Sequence, residues 1–182
     1  MNIRPICESD SGAVLELLAK TMSIHYMNEL KSEFEHLLEG KGYAFVAEQD
    51  DSVLGYITCH QTAETFKLET LAIRPHVQRQ GLGRLLVEHL EQVLQREVPI
   101  RPLVINVVTD DAVDDPVQAF YKQLGFIQSG IVVNEYKYGD GQIHLCKIIK
   151  CRFYLSTINP HYAIPCININ NLPGNIFGHI RA

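Results

Sequence analysis

The sequence predicts an α/β domain in which helices flank a central sheet. Residues 103–108 are apolar on both strand faces, which is typical of a central strand covered by helices. Residues 43–48 and 53–58 flank an acidic turn and predict a β-hairpin. Directly after the loop at residues 78–83, apolar residues recur at three- and four-residue steps, as in an amphipathic helix. At 182 residues the chain is long enough for one domain with its own buried core.

The part of the chain before this loop predicts a strand, two helices and three further strands. Residues 2–6 form the opening strand, and Asp10 is placed to cap the first helix. The second helix runs from about Met27 and ends at Gly40. After the hairpin, residues 66–73 form another strand. The apolar faces of the two helices consist of Val14, Leu17 and Leu18 in the first, and of Met27, Leu30, Phe34, Leu37 and Leu38 in the second.

The part of the chain after the loop predicts a helix, the central strand, another helix and two closing strands. Prolines in residues 99–102 end the first of these helices. The other helix spans residues 116–124, with Asp114 or Asp115 as its cap. The apolar positions are Leu82, Leu85, Leu86, Leu90, Val93 and Leu94 in the first helix, and Val117, Phe120, Tyr121 and Leu124 in the other. The closing strands lie near residues 126–133 and 143–149.

Two glycines, Gly81 and Gly83, lie at the junction between a strand and a helix. No Cβ blocks an approaching ligand there, and the converging N–H groups and the helix dipole favour an anion. A P-loop would need lysine where Arg84 stands, and a dinucleotide fingerprint would need glycine or alanine where Leu86 stands. A third pattern, Gln/Arg-x-x-Gly-x-Gly/Ala, is matched by residues 78–83 at all three fixed positions.

This loop resembles that of the GNAT superfamily of acyl-CoA-dependent N-acetyltransferases, in which it cradles the pyrophosphate of coenzyme A. Residues 116–126 resemble a second family element, Ala-x-x-Phe-Tyr-x-x-x-Gly-Phe, with Val117 at the customary alanine position. The resemblance implies a mixed, mostly antiparallel central sheet flanked by helices, whose two central strands splay to admit acetyl-CoA. It covers residues 1–150 as the acetyltransferase domain. Residues 151–182 form an apolar C-terminal extension, which we expect to pack on the domain or on a partner.

The resemblance also implies which residues bind acetyl-CoA. The loop would hold the pyrophosphate, where Arg79 and Arg84 either meet phosphate or remain solvated. The strand before the loop carries a bulge in this family, and the backbone N–H groups of Leu71 and Ile73 would face the oxyanion of the transfer reaction. Asn106 would bond the pantetheine arm or a water, or else be a satisfied core amide. The expected cosubstrate contacts are Leu71, Ala72, Ile73, Gln78, Arg79, Gln80, Gly81, Leu82, Gly83, Arg84, Asn106 and Phe120.

Acetyl transfer to an amine needs a free amine lone pair and a proton for the departing thiolate. An ammonium has a pKa near 10 and a thiol a pKa of about 8.5, so removing the amine's proton is the harder proton transfer at neutral pH. The resemblance implies Glu69 as the general base and Tyr121 as the general acid beside the coenzyme sulfur. The alternatives are that Glu69 lies on a solvated face beside Lys67, and that Tyr121 is a core aromatic sharing a face with Val117 and Leu124.

The composition narrows the class of partner. Residues 1–150 carry all 21 acidic residues and 14 of the 16 basic ones, a net charge of −7, which disfavours nucleic-acid phosphate and suits a cationic acceptor. No run approaches the roughly 18 apolar residues of a membrane helix, and five cysteines without regular spacing fit a reducing compartment, so we expect a cytoplasmic protein. The amine acceptor, a small molecule or a protein, is not specified. In this family the connections at residues 21–28 and 134–140 would shape its pocket.

Three alternatives remain open. The chain could be a non-catalytic acyl-CoA-binding or partner-binding module of the same fold. Residues 151–182 could build a homodimer. Zinc-ligand side chains are concentrated near the C-terminus, but their spacing matches no standard zinc site, so we expect no metal. These side chains are His144, Cys146, Cys151, His161 and Cys166.

Overall fold

A computed structural model of the protein describes residues 1–21, 27–97, 103–110, 115–137 and 139–149. Its helices are α1 (Ser11–Thr21), α2 (Met27–Leu38), α3 (Leu82–Glu97) and α4 (Pro116–Gln123). Its strands are β1 (Asn2–Pro5), β2 (Tyr43–Gln49), β3 (Ser52–Thr62), β4 (Thr65–Ile73), β5 (Leu103–Asp110), β6 (Ile127–Lys137) and β7 (Asp140–Ile149). The predicted order of elements is therefore confirmed. The C-terminal extension, residues 151–182, and parts of both predicted pocket connections lie outside the described residues.

The seven strands form one mixed sheet in the order β1-β2-β3-β4-β5-β7-β6. Every neighbouring pair is antiparallel except β4 and β5, which are parallel. The prediction of a mostly antiparallel sheet flanked by helices is thus confirmed. A long connection through α3 is what permits the parallel pair, because parallel neighbours need a crossover.

The parallel pair separates soon after it forms. Only Phe66 with Ile105 and Lys67 with Asn106 are paired between β4 and β5, although the strands have nine and eight residues. Beyond these two pairs no further described residues of the two strands are paired. We call the opening between residues 68–73 of β4 and residues 107–110 of β5 the gap. It corresponds to the splayed central strands that the sequence predicted.

The two faces of the sheet carry separate cores. On one face α3 and α4 pack against the sheet around Leu86, Leu90 and Tyr121. On the other face α1 and α2 pack against β2, β3 and β4 around Leu17 and Phe34. Because the faces alternate along each strand, neighbouring residues of β4 serve different cores.

Some local predictions were wrong, for identifiable reasons. Asp10 does not cap α1, because its carboxylate accepts from the N–H of Cys7 at 2.8 Å and pairs with Arg4 at 2.7 Å. On α4, Val117 is 47% exposed, whereas Gln118 is buried and donates from Nε2 to the carbonyl of Asp110 at 2.9 Å. Of the predicted apolar face only Val117 was wrong, because Phe120 is half-buried and both Tyr121 and Leu124 are buried. Its predicted cap is confirmed, since Asp115 accepts from the N–H of Val117.

A β-bulge interrupts the pairing of β3 with β4. Thr58 lies opposite Thr70, but the next residue, Cys59, lies opposite Leu68, so Glu69 is an extra residue in β4. The bulge reverses the alternation along β4. Phe66 and Leu68 face the α3 core before it, and Thr70 faces the α1 and α2 side after it.

Candidate active site

The loop at residues 78–83 is built for close approach of a ligand to its backbone. Arg79 has φ 60° and Gly81 has φ 88°, so two left-handed residues alternate with extended or helical ones. This alternation turns successive N–H groups toward a common point. The side-chain amides of Gln78 and Gln80 donate to the carbonyls of Ile73 and His76, at 2.9 and 3.2 Å, which fixes the loop against the end of β4.

The N-terminus of α3 adds further donors. The first intrahelical bond runs from the N–H of Leu85 to the carbonyl of Gly81 at 3.1 Å, so the N–H groups of Leu82, Gly83 and Arg84 have no helical acceptor. Arg84 is half exposed, and its guanidinium lies 3.5 Å from the carboxylate of Glu88. Free donors, the helix dipole and a cationic side chain together favour a phosphate.

Gly83 allows three segments to meet beside this loop. A Cβ at position 83 would lie 3.3 Å from Cζ of Phe120 and 3.8 Å from Cδ2 of Leu71. The start of α3, the α4 helix and β4 therefore pack closely at this point. The sequence named all three residues as cosubstrate contacts, and the structure brings them together.

The backbone of β4 presents alternate residues to the gap. The N–H of Thr70 points to β3, where Thr58 accepts it, and the N–H of Arg74 points to β3 as well, where the carbonyl of Leu54 accepts it. Since N–H and C=O groups alternate in direction along a strand, those of Leu71 and Ile73 point toward the gap. The expectation for these two residues agrees with this geometry. Ala72 differs, because its backbone points to β3 and its side chain is buried beneath α1 and α2.

Tyr121 lies in the core between α4 and the sheet. Its side chain is 4% exposed, and its ring contacts those of Phe120 and Phe126 edge-to-face, with centroids 5.1 and 5.3 Å apart. Burial raises the pKa of Tyr121 above the ordinary value of a phenol. A tyrosine in this state keeps its proton and can only donate it, which suits an acid and excludes a base.

Glu69 is the extra residue of the bulge, on the strand that borders the gap. Its carboxylate lies 2.9 Å from Nζ of Lys67, and its side chain is 34% exposed. The carboxylate is therefore open to solvent on one side and held by a cation on the other. This arrangement is compatible with a general base and also with a solvated carboxylate beside Lys67.

Three polar residues that the sequence analysis did not single out lie near the bulge on the α2 side. Oγ1 of Thr58 donates to Oε1 of Glu33 at 2.8 Å, and Nε2 of His60 lies 3.3 Å from the same oxygen. Thr58 and His60 are two residues apart on β3, so a shared face was readable from the sequence. The contribution of Glu33 was not readable, because only the packing of α2 brings this residue to the sheet.

Asn106 lies at the last pair before the strands separate. It is half-buried, opposite Lys67 on one side and Cys146 on the other, and its side-chain amide bonds to no described residue. The described residues therefore give no partner to the side chain of Asn106, which the core-amide alternative would require. The amide is available at the closed end of the gap.

Metal ligands are not grouped in the described part of the chain, where no cluster of three or more candidate side chains occurs. His144 and Cys146 lie on one face of β7, and Nε2 of His144 is buried without a hydrogen-bond partner. The other candidates, Cys151, His161 and Cys166, lie outside the described residues.

The fold and the site define a class of protein. A phosphate-binding loop at a helix N-terminus, next to an opening between two parallel strands with free backbone donors, is suited to an extended cosubstrate with a phosphate end and a reactive end. The described residues also include a buried phenol, Tyr121, and a partly exposed carboxylate, Glu69. These features define an acyl-CoA-dependent transferase.

Comparisons with known proteins give the family. The acetyltransferase (GNAT) family matches residues 12–126. One relative is the N-acetyltransferase of Escherichia coli K12 that is named for an alanine of ribosomal protein bS18. It is 30% identical over 105 residues, covering 57% of this chain and 68% of the relative. The chain belongs to the GNAT acetyltransferase family. It is an acetyl-CoA-dependent N-acetyltransferase, as the sequence predicted.

Solved structures share the fold. An aminoglycoside 6'-N-acetyltransferase in complex with coenzyme A has a TM-score of 0.74 at 20% identity, covering 84% of this chain and 99% of that one. A GNAT-family protein of Desulfovibrio desulfuricans has a TM-score of 0.70 at 24% identity, covering 80% and 97%. The S18-alanine N-acetyltransferase of E. coli has a TM-score of 0.67 at 21% identity, covering 86% and 99%. The fold prediction is confirmed.

Within the described residues, no helix is both long and apolar enough to cross a membrane.

Proposed function

We propose that acetyl-CoA binds with its pyrophosphate on the loop at residues 78–83 and its acetyl thioester in the gap. The observation that carries this proposal is the two-pair contact between β4 and β5, which leaves the backbone donors of Leu71 and Ile73 facing the opening. The free N–H groups of Leu82 and Gly83 fit a pyrophosphate. When bound, the cosubstrate supplies an activated acetyl group and a thiolate leaving group.

The backbone N–H of Leu71 is suited to stabilise the negative charge that develops on the thioester oxygen. A main-chain donor held by a strand needs no reorganisation during the reaction, which is the property that makes such donors effective. Asn106, at the closed end of the gap, would bond an amide of the pantetheine arm. Tyr121 would donate the proton of its phenol to the departing sulfur.

Glu69 would remove the proton from the acceptor amine, directly or through a water molecule. Its position in the bulge places it on the strand that borders the gap, and its exposure leaves it reachable by an acceptor. Nζ of Lys67, 2.9 Å from the carboxylate, is its charged neighbour on the same strand.

The Glu69→Gln variant should transfer acetyl about 100-fold more slowly at neutral pH, because a general base contributes roughly 10²–10⁴-fold. The deficit should shrink as the pH approaches the pKa of the amine, since free amine then needs no base. Rates of thiol release measured from pH 6.5 to 9.5 test this. Glu35→Gln, a carboxylate on the exposed part of α2, is the control and should behave as wild type. A deficit that is equal at all pH values would contradict the base role.

For the acceptor, we propose the α-amine of a polypeptide, because the E. coli relative acts on an alanine of a ribosomal protein. The net charge of −7 in residues 1–150 favours approach of a cationic amine. Two synthetic peptides test the proposal: one with a free N-terminal alanine and no lysine, and one that is Nα-acetylated and contains lysine. We expect thiol release with the first peptide. Release only with the second would replace the α-amine by lysine, and release with neither would contradict a polypeptide acceptor.

Three further statements belong to this proposal. The enzyme acts in the cytoplasm, as its cysteine pattern suggests, and has neither a nucleic-acid nor a membrane partner. Residues 1–150 form the catalytic domain. Residues 151–182 cover apolar surface of this domain or of a second copy, and sizing of the full chain against a chain ending at Lys150 would distinguish a homodimer.

A further inference from the structure

The bulge in β4 is held by a side chain. Next to the bulge, the backbone N–H of Thr70 donates to Oγ1 of Thr58 at 3.1 Å, and this contact is buried. Thr58 itself has no exposed surface. A threonine hydroxyl has one proton to give, so the oxygen that accepts from Thr70 is free to donate onward.

The hydroxyl of Thr58 donates onward to Oε1 of Glu33 at 2.8 Å. The same oxygen lies 3.3 Å from Nε2 of His60, whose Nδ1 lies 3.2 Å from the carbonyl of Lys41. Because a carbonyl only accepts, Nδ1 carries the hydrogen of that bond. Glu33 is thus tied to β3 through the hydroxyl of Thr58.

We propose that Thr58 and Glu33 are positioning residues of the transferase, which orient the β4 backbone at the bulge so that the N–H of Leu71 points into the gap. This inference rests on the proposed function. Its physical basis is the period of two along a strand: if the N–H of Thr70 turned away from β3, the N–H of Leu71 would turn away from the gap. The chain from Thr70 through Thr58 to Glu33 opposes that rotation.

Substitutions at one position separate hydrogen bonding from packing. Thr58→Val keeps the shape of the side chain and removes the hydroxyl, whereas Thr58→Ser keeps the hydroxyl and removes a methyl group. Thr58→Val should lower kcat at least about tenfold, since small misplacements of reacting groups cost up to about 100-fold. The KM for acetyl-CoA should change less than about threefold, because the phosphate site is on α3. Thr58→Ser should stay near wild type. The reverse order, with serine impaired and valine active, would overturn the proposal.

A second readout needs no acceptor. In ¹⁵N-labelled full-length protein, addition of coenzyme A should shift the backbone amide resonance of Leu71 in the wild type and in Thr58→Ser. The shift should be much smaller in Thr58→Val. Equal shifts in all three proteins would overturn the positioning role, whereas no shift in the wild type would overturn the gap as the cosubstrate site. If Thr58→Val does not fold, Glu33→Gln replaces it in the test. This variant keeps the hydroxyl of Thr58 and the shape of the side chain at position 33, and we expect it to lower kcat several-fold.

Discussion

Gly81→Glu should weaken the binding of acetyl-CoA by at least about 100-fold. Gly81 has φ 88°, a conformation that costs an L-residue about 1–2 kcal/mol. The new carboxylate would also stand beside the N–H groups that receive the pyrophosphate, and like charges a few ångströms apart repel by roughly 1–4 kcal/mol near a protein surface. About 2.7 kcal/mol already corresponds to a 100-fold loss of affinity. Calorimetric titration of both proteins with acetyl-CoA and with free coenzyme A measures this loss of affinity.

The matched control is Gly139→Glu. Gly139 has φ 93° and, like Gly81, has no atom within 4 Å of the position of an added Cβ, but it lies in the turn between β6 and β7. It therefore imposes the same backbone strain and the same charge away from the phosphate loop. We expect this variant to bind acetyl-CoA as the wild type does. Equal losses in both variants would mean that strain, and not the loop's position, determines the result.

Tyr121→Phe should lower kcat about 100-fold while leaving the Kd for acetyl-CoA nearly unchanged. The substitution removes only the hydroxyl, so the ring contacts with Phe120 and Phe126 remain. A missing general acid costs roughly 10²–10⁴-fold in rate. Because burial raises the pKa of Tyr121, the wild-type enzyme should show no fall in kcat from ionisation of this group below about pH 10, the ordinary pKa of a phenol.

Tyr56→Phe is the matched control for this prediction. Tyr56 is also buried, with 2% of its surface exposed, but it packs beside Phe34 on the opposite face of the sheet. Its variant should retain kcat within about twofold. If instead both variants lose activity in parallel with their unfolding midpoints, Tyr121 is a core aromatic, as its burial alone would allow.

The sequence predicted those parts of the site that are local. The glycine loop, the start of α3 and the Phe120–Tyr121 pair each depend on a few consecutive residues, whose turn chemistry and periodicity are visible in the chain. The gap was expected from resemblance alone. Nothing in the composition of β4 and β5 shows that two apolar strands pair at two positions and then separate.

The network around Thr58 could not be predicted, because it depends on tertiary packing. Glu33 stands in a helix whose polar face reads as solvated, and its contact with Thr58 requires the position of α2 over the sheet. A bulge in this strand was expected from the resemblance alone, and its position at Glu69 depends on the pairing with β3. In α4 the sequence analysis expected only apolar residues in the core, but Gln118 is buried there. Its side-chain amide donates to the carbonyl of Asp110.

The division of the sheet at β4 and β5 also bears on how the chain folds. The strands β2, β3 and β4 pair with one another in chain order as hairpins, and so do β6 and β7. Contacts within each group therefore close short loops, which favours rapid folding. The two pairs between β4 and β5 are the contacts that must close the long crossover through α3. The gap thus lies at the boundary between the hairpin strands β2 to β4 and the rest of the sheet, where pairing joins residues that are far apart in the sequence.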